Sequence, residues 1–446
     1  MLLSKVKNIN PWAWIPTLYF AEGLPYIVVN TISVILFKKM GMSNTELAYL
    51  TGWLYLPWVI KPFWSPFVDI IKTKRWWIIL TQLIIAIALA AVAFLIPVHN
   101  YVRYVLIGFW IIGFSSATHD IAADGFYMLA LDHSRQSFFV GIRSTFYRLA
   151  TIFGQGILVI VAGALETRLG DIPRAWSITF LMISVFFLLI TLYHRWILPR
   201  PSLDKSSYEL MSSDASQLSS SKMSGKSILR GFINTFVSFF EKKDVFIAVL
   251  FMLLFRLPEA QLVKIIQPFL LDSQEVGGLG LSTMQVGFVY GTIGIIGLTL
   301  GGILGGILVS RDGLKKWLWP MALSLTLPCV VFCYLSMAQP DMSNIISMVV
   351  INACVFIEQF GYGFGFTAFM LYLIYFAEGP SKTSHYAICT AFMALGMMLP
   401  GMAAGWIQDH IGYVGFFWWV MLCCIATLIV TALIKVDAIY GKKEKI

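Results

Sequence analysis

The chain contains 446 residues, of which 58% are hydrophobic and 12% are charged, and its mean hydropathy is +0.79. A water-soluble protein of this composition would expose far more apolar surface than such proteins do. The composition therefore excludes a water-soluble globule and predicts an integral membrane protein.

The chain offers about twelve apolar stretches that are long enough to cross a bilayer, since a crossing helix needs roughly 20 mainly apolar residues. We therefore expect an all-α membrane protein with about 12 transmembrane helices. The predicted spans are 12–37, 45–68, 76–96, 101–131, 137–164, 174–198, 244–271, 283–309, 315–337, 343–376, 385–407 and 413–435.

Lysine and arginine collect on one side of this topology, in the segments 5–7, 72–75, 311–316 and 442–445. Such clusters mark the cytoplasmic side of a membrane protein, so we expect both termini to be cytoplasmic. The net charge of +9 then reflects topology and attraction to the inner leaflet, and we expect no nucleic acid as a partner. No small-residue cleavage pattern follows the first long apolar segment, so we expect that segment to be retained.

The first predicted helix carries Tyr19, Glu22, Tyr26 and Asn30 at spacings of three or four, so these side chains share one face. The face is either a polar seam that is hydrogen-bonded to a neighbouring helix or the wall of a cavity. As part of a cavity wall, Glu22 would be a proton carrier or a ligand contact.

The fourth predicted helix places charge inside the hydrophobic run FSSATHDIAADGFYMLALD. Asp120 and Asp124 are one helical turn apart and Tyr127 continues the same face, with His119 beside them in the sequence. Charged side chains in hydrocarbon are costly and mark functional sites by default. This stripe is our first candidate for a transport path.

The fifth predicted helix carries Arg148 and Gln155 on one face, whereas Arg143 lies off that face and is most simply an interface anchor. Arg148 can be neutralised by an ion pair with Asp120 or Asp124, or it can contact an anionic substrate. Both roles satisfy the charge, so the sequence leaves them open.

The second half of the chain contains a similar set of polar residues. Arg256 and Glu259 are one turn apart on the seventh predicted helix, and Lys264 lies on another face of it. Glu358 and Tyr362 stand in the middle of the apolar tenth helix. An Arg256–Glu259 pair can be purely structural, and the alternative is a set of ligand contacts.

Proline and glycine indicate where helices bend or pack closely. Proline cannot donate a backbone hydrogen bond, so we expect bends in the second helix at Pro57, Pro62 and Pro66 and in the seventh at Pro258 and Pro268. Gly297, Gly301 and Gly305 recur at four-residue spacing in the eighth helix, which lets another helix approach closely.

A short basic turn occurs twice in the chain. KRWW at 74–77 aligns with KKWL at 315–318 at an offset of 241, and Ser310 then stands where Asp69 stands. Each copy follows the second long apolar helix of its half, which predicts a repeat of six helices plus six. Because the acid is missing at the aligned position, we expect the two halves to close asymmetrically.

The repeat and a change in composition define three segments. We expect an N-terminal six-helix bundle at 1–198 and a C-terminal six-helix bundle at 244–446. Residues 199–243 are rich in serine and poor in aromatics, so we interpret them as a flexible cytoplasmic linker.

Several stretches together carry a family resemblance: YFAEGLPY, LPWVIKPFWSPFVD, ATHDIAADGFY, and FRLPEAQLVKIIQPFLLD before a glycine-rich eighth helix. In order and spacing they resemble the AmpG-type muropeptide permeases, in the peptide, acetyl-coenzyme A and drug transporter branch of the major facilitator superfamily. The resemblance implies the superfamily fold of two six-helix halves in the bacterial inner membrane. It also implies proton-coupled import of cell-wall muropeptides (GlcNAc-anhydroMurNAc peptides) by alternating access.

With this resemblance, the candidate residues divide into three groups. The proton-coupling candidates are Asp124, Glu22, Asp120 and Glu358. The substrate-binding candidates are Tyr19, Tyr26, Asn30, His119, Tyr127, Arg148, Gln155, Arg256, Glu259, Lys264 and Tyr362. The superfamily has an acidic-then-basic turn between helices two and three, and by this likeness the cytoplasmic gate candidates are Asp69, Lys74, Arg75 and Arg311.

Other functions stay open at this point. One alternative is an acetyl-coenzyme A, organic-anion or peptide carrier of the same branch, and one from another class is a non-transporting membrane receptor or scaffold. The chain shows no nucleophile arrangement, metal spacing or nucleotide loop, so we expect neither an enzyme nor a cofactor nor a metal site. We expect a monomer whose partners are a small-molecule substrate, protons and the lipid bilayer.

Overall fold

A computed structural model describes residues 9–131, 133–201, 204, 233–234, 236–341, 344–379 and 382–442. Regular structure in these residues is helical throughout. Residue contacts group the chain into two compact units. The first unit comprises Met1–Leu36 with Ile60–Ser220, and the second comprises Phe37–Val59 with Ser221–Ile446. Most of the predicted linker lies outside the described residues, so the division at 199–243 stays a prediction.

The helices are named here in chain order. The earlier ones are α1 (Ile15–Ile27), α2 (Ser33–Lys39), α3 (Asn44–Trp53), α4 (Leu56–Ile71), α5 (Lys74–Leu95), α6 (Tyr101–Ala130), α7 (His133–Ile152), α8 (Val159–Leu169) and α9 (Ile172–Ile197). The later ones are α10 (Val245–Leu254), α11 (Leu257–Leu271), α12 (Thr283–Phe288), α13 (Ile295–Asp312), α14 (Leu314–Thr326), α15 (Val330–Ala338), α16 (Ile345–Ala377) and α17 (Lys382–Leu433).

The predicted transmembrane helices correspond to these elements. Ten helical segments of the described chain are long and apolar enough to cross a membrane, and one of them, Ser384–Leu433, contains two predicted spans. Its two parts meet at Gly412, where φ is 69° and ψ is 176°. The predicted second span corresponds to α3 and α4 together. The expectation of about twelve membrane helices is therefore confirmed.

Two breaks in the helices follow directly from proline. A proline ring collides with the carbonyl of the residue four positions earlier, so a helix tends to end there. Helix α3 ends at Trp53, four residues before Pro57, and α10 ends at Leu254, four residues before Pro258. The bends predicted at Pro57 and Pro258 are confirmed, whereas α4 continues through Pro62 and Pro66 and α11 continues through Pro268. Each break leaves backbone carbonyls near mid-helix that need other partners.

Three membrane helices also contain a wider π-helical turn. These turns are Val28–Ile32 between α1 and α2, Phe153–Leu158 between α7 and α8, and Val289–Gly294 between α12 and α13. Such turns are common at functional sites because they shift the direction of the side chains that follow.

The glycine stripe of the eighth span packs as predicted. Helix α13 crosses α16 so closely that a methyl group on Gly301 would collide with the carbonyl oxygen of Phe360. A methyl group on Gly297 would lie 2.7 Å from the carbonyl oxygen of Phe356. Small residues at a helix crossing allow van der Waals contact between backbones, which drives helix association where no hydrophobic effect is available.

Substitution of Gly301 by valine should destabilise the protein, because the added side chain must push α13 away from α16. Overpacking of this kind costs about 1–3 kcal/mol. The matched control is Gly306→Val in the same helix, since nothing lies within 4 Å of the space that a side chain would fill there. Thermal unfolding of the detergent-purified variants should show a lower midpoint for G301V only. Equal midpoints for both variants would contradict the close crossing.

Candidate functional site

The acidic stripe of α6 is held by residues from two other helices of the first unit. Asp124 Oδ1 accepts a hydrogen bond from the Tyr19 hydroxyl at 3.1 Å and lies 3.0 Å from Nη1 of Arg143. Arg143 also donates from Nη1 to the Tyr19 hydroxyl oxygen at 3.0 Å. The carboxylate, the phenol and one nitrogen of the guanidinium therefore form a closed set of charge-assisted contacts.

Two aromatic rings complete this group. The Arg143 guanidinium carbon lies 4.8 Å from the centre of the Tyr19 ring and 5.2 Å from that of Tyr127, within cation–π range. The two rings meet edge to face at 5.9 Å. We call Tyr19, Asp124, Tyr127 and Arg143 the Asp124 cluster. Tyr19, Asp124 and Tyr127 are candidates from the sequence. Arg143 is the fourth member, which sequence reasoning had assigned to the membrane interface.

The interpretation of Arg143 as an interface anchor is wrong, because its side chain pairs with Asp124. Helix α6 ends at Ala130 and α7 begins at His133, so residues at similar distances from this turn lie at similar depths. Arg148 lies five residues beyond Arg143, which is about 7 Å further along the helix at 1.5 Å per residue. Counting from the turn would have selected Arg143 as the partner.

Arg148 forms neither an ion pair nor a hydrogen bond with any residue that the structure describes. Its side chain is nevertheless half-buried within the first unit. Of the two roles that the sequence left open, an ion pair with Asp120 or Asp124 is not formed here. Asp120 instead has Lys61 at 3.8 Å, a residue that sequence reasoning had left out of the site. A guanidinium without a carboxylate partner is suited to bind an anionic group.

Glu22 lies buried on α1 and is only 9% exposed. Its Oε2 atom has no hydrogen-bond partner within the described part of the chain. The carboxyl group interacts electrostatically with Asp120 and Asp124 and also with Arg143. Glu22 is therefore a second titratable group beside the Asp124 cluster, in a position to respond to its charge state.

Three other candidates of the first unit lie nearby along the same helices. The Asn30 amide donates to the Tyr26 carbonyl oxygen at 3.1 Å, inside the wide turn of the first span. Gln155 donates to the Thr31 hydroxyl at 3.2 Å and so joins two wide turns to each other. The Gln155 bond joins two helices, whereas the Asn30 bond lies within one helix, so the choice between a polar seam and a cavity wall stays open.

His119 faces a different set of neighbours from Asp124. Its Nε2 lies 2.9 Å from the Gln82 amide nitrogen, and the Gln82 amide oxygen lies 3.0 Å from Nδ1 of His194. Thr17 continues this chain at 2.9 Å from His194 Nε2. His119, Gln82 and His194 are all buried. These hydrogen bonds link α1, α5, α6 and α9, and the Nδ1 atom of His119 is left without a partner among the described residues.

The second unit holds its own polar cluster. Arg256 donates to the Tyr362 hydroxyl, and its guanidinium lies 4.8 Å from the centre of the Phe366 ring. Glu259 and Glu358 are both buried and interact with each other electrostatically. The Gln359 amide donates to Glu358 Oε2 at 2.9 Å. This cluster combines two carboxyl groups with one guanidinium.

Lys264 is fully buried on α11 and makes its contacts with the segment Phe37–Val59 of the same unit. Its ammonium donates to both the carbonyl and the hydroxyl oxygen of Thr51 at 3.1 Å and lies 5.0 Å from the centre of the Tyr55 ring. Thr51 stands in the last turn of α3, just before the break caused by Pro57. The negative end of the helix dipole stabilises a cation here, and the Thr51 carbonyl oxygen accepts the ammonium in addition to the Leu54 N–H at 3.3 Å.

The segment Phe37–Val59 is also held to the rest of the second unit by contacts that do not involve Lys264. Lys38 Nζ lies 2.7 Å from Asp272 Oδ2, and the Asn44 amide donates to the Tyr413 hydroxyl at 3.0 Å. The segment is therefore fixed to α11 and α17 at several points rather than by Lys264 alone.

The gate candidates occupy two separate turns. The Asp69 side chain lies outside the described residues, so its predicted role is untested. The backbone N–H groups of Lys74 and Arg75 donate to Asp204 at 2.7 and 3.0 Å. In the second turn Arg311 pairs with Asp312 at 2.9 Å. The alignment missed this acid because Asp312 lies two residues after the position that matches Asp69.

No group of three or more His, Cys, Asp or Glu side chains converges as a metal site would require, within the residues that the structure describes. The ionisable residues of both clusters are instead paired with phenols, amides, arginine or lysine. Such a set of groups can bind a polar, charged solute and exchange protons.

Comparison with known protein sequences supports this architecture. A family profile described as Major Facilitator Superfamily matches residues 17–383. The chain is 24% identical over 423 residues to "Putative transporter AmpG 4" of Rickettsia conorii, with 92% of each chain covered. It is also 24% identical over 422 residues to the anhydromuropeptide permease of Escherichia coli K12, covering 92% of this chain and 77% of that one. These relatives are transporters and not enzymes.

Solved structures show the same fold. A POT family transporter in complex with 5-aminolevulinic acid superposes with a TM-score of 0.70 at 12% sequence identity, covering 95% of this chain and 96% of that chain. The nucleoside transporter NupG superposes with a TM-score of 0.65 at 14% identity, covering 95% and 98%. The expected all-α membrane transporter fold is therefore confirmed.

Replacement of Lys264 by methionine should loosen the segment Asn44–Trp53, because the variant keeps the length of the side chain but loses both hydrogen bonds to Thr51. A hydrogen bond to a charged group contributes about 1.5–3 kcal/mol, so amides of this segment should exchange with deuterium roughly tenfold faster. Lys316→Met is the matched control, since Lys316 is exposed and pairs only with Asp312 among described residues. Unchanged exchange in K264M would contradict the role of this contact.

Proposed function

Because the chain belongs to the Major Facilitator Superfamily of secondary transporters, we propose that it imports anhydro-muropeptides together with protons by alternating access. The single observation that carries the substrate class is Arg148, a half-buried guanidinium with no acidic partner among the described residues. A muropeptide bears several carboxylates, and a bidentate ion pair with a guanidinium would recognise one of them. The relatives named AmpG or anhydromuropeptide permease support the choice of this solute.

Each of the two units, taken by itself, also offers groups that suit a sugar–peptide. Tyrosine rings such as Tyr26 and Tyr362 offer both a hydroxyl and a face on which a sugar ring can stack. Arg256 provides a cation in the second unit. Gln155 and Asn30 supply amides in the first.

For proton coupling we propose Asp124 and Glu22 as the first two candidates. Asp124 is held by Arg143 and Tyr19, so protonation of Asp124 would remove the ion pair and free the guanidinium. Glu22 Oε2 can take up a proton without losing a hydrogen bond to a described donor. Asp120 and Glu358 stay further candidates; Lys61 lies near the first, and Gln359 donates a hydrogen bond to the second. A change in one carboxyl group would thus be felt by its neighbours electrostatically.

We further propose that the protein lies in a bacterial inner membrane with both termini in the cytoplasm and acts as a monomer. The clusters of lysine and arginine at 72–75 and 311–316 support this orientation.

The test of the proposed function is uptake of a radiolabelled anhydro-muropeptide by proteoliposomes that contain the purified protein. An inward proton gradient should drive accumulation above equilibrium, and a protonophore should abolish it. The same vesicles should be offered acetyl-coenzyme A as the competing solute. Accumulation of acetyl-coenzyme A but not of the muropeptide would replace the proposed substrate while keeping the carrier mechanism.

Asp124→Asn and Glu22→Gln should each abolish gradient-driven accumulation, since an amide keeps the volume of the acid but cannot carry a proton. A variant that has lost only proton coupling should still exchange labelled for unlabelled muropeptide across the membrane when no gradient is present. Asp171→Asn is the matched control, because this exposed acid caps α9 and asparagine caps equally well. Normal dependence on the gradient in both test variants would remove these two residues from coupling.

Arg148→Gln should weaken muropeptide binding at least tenfold, since a charge-assisted bidentate contact contributes more than about 1.4 kcal/mol. Binding to the detergent-purified protein can be measured by isothermal titration calorimetry. Arg174→Gln removes an equally positive but exposed side chain and should bind as the wild type does. If R148Q retains wild-type affinity, Arg148 does not contact the substrate.

A further inference from the structure

A cavity of about 590 Å³ opens at one end of α5 and α9, away from the Asp124 cluster. Three arginine residues line it: Arg75 in the first turn of α5, Arg195 in the last turn of α9, and Arg200 just beyond that helix. Neither the transport proposal nor the gate prediction accounts for three guanidinium groups around one cavity.

The positive charge of this cavity is incompletely neutralised. Arg75 donates from Nε to the Leu198 carbonyl oxygen at 3.2 Å and from its guanidinium to the Arg195 carbonyl oxygen. Asp204 accepts hydrogen bonds from the backbone N–H groups at the start of α5, where it acts on Arg75 against the repulsion from Arg195 and Arg200. Arg195 and Arg200 are exposed and form no ion pair with a described residue. Two cations therefore face the cavity with their charge available.

The walls of the cavity change from aromatic to aliphatic along α5. Trp76 and Trp196 are 41% and 84% exposed and flank the arginines. Tryptophan in such positions marks the level of the lipid headgroups. Ile79, Leu80 and Leu83 follow on the same face of α5, three, four and seven residues after Trp76. In a membrane-spanning protein, this exposed aliphatic face meets lipid chains.

We propose that this cavity binds an anionic phospholipid, whose phosphate lies on Arg195 and Arg200 and whose acyl chain follows Ile79, Leu80 and Leu83. Basic pockets between transmembrane helices near the membrane surface suit such headgroups. A soluble phosphate would use the arginines but not the aliphatic wall. Arginines that merely anchor a helix end would each face water separately, whereas these three converge on one cavity. The lipid would attach the chain after α9 to the membrane surface.

The experiment is native mass spectrometry of the detergent-purified full chain, titrated with dioleoyl phosphatidylglycerol or with dioleoyl phosphatidylcholine, which has the same acyl chains. Wild-type protein should bind the anionic lipid at least tenfold more tightly. The double variant R195Q/R200Q should bind it roughly ten- to thirtyfold more weakly, as expected for two charges near a lipid headgroup. The control R103Q/R168Q removes two exposed arginines from the ends of other helices and should behave as the wild type does.

Each variant is first checked for a monodisperse peak and an unchanged thermal midpoint. If the double variant does not fold, R200Q serves instead, because Arg200 lies outside any helix. Equal binding of the two lipids by the wild type, or undiminished binding of phosphatidylglycerol by the arginine variants, would overturn the proposal. Competition by glycerol 3-phosphate at the same concentration as the lipid would also overturn it, since the site would then bind a soluble anion.

Discussion

A charged group inside a membrane helix has lost its water, so another protein group must take the place of that water. This requirement accounts for the contacts of two ionisable residues. Asp124 is held by Arg143 and Tyr19, and the Lys264 ammonium is held by Thr51 near the end of α3. Arg148, in contrast, lacks such a partner among the described residues, which is why we assign it to the substrate.

Much of the fold could be predicted from the sequence because its signals are local. Apolar length predicts the membrane helices, Pro57 and Pro258 predict two breaks, and the stripe at Gly301 predicts a close helix crossing, although not that α16 is the partner. Each of these features depends on residues within a few turns of one another. The position of Asp120 and Asp124 on one face also follows from helical spacing alone.

The partners in the candidate site were harder to predict, because they depend on depth and on rotation between separate helices. Sequence reasoning favoured Arg148 over Arg143, and only the depth relative to the turn after α6 distinguishes them. It placed His119 with the aspartates, although the next residue along a helix points about 100° away and His119 meets Gln82 instead. It also missed Asp312, since the two copies of the basic turn differ in length by two residues.

Each unit of the protein holds its own carboxyl groups and cations, and the charge of one group acts on its neighbours. Under the proposed function, muropeptide and proton enter together. The most direct measurement loads proteoliposomes with a pH-sensitive dye, sets equal pH on both sides and adds anhydro-muropeptide outside. The interior should acidify, whereas the interior of protein-free vesicles should not. Entry of labelled muropeptide with no change in interior pH would contradict proton-coupled import.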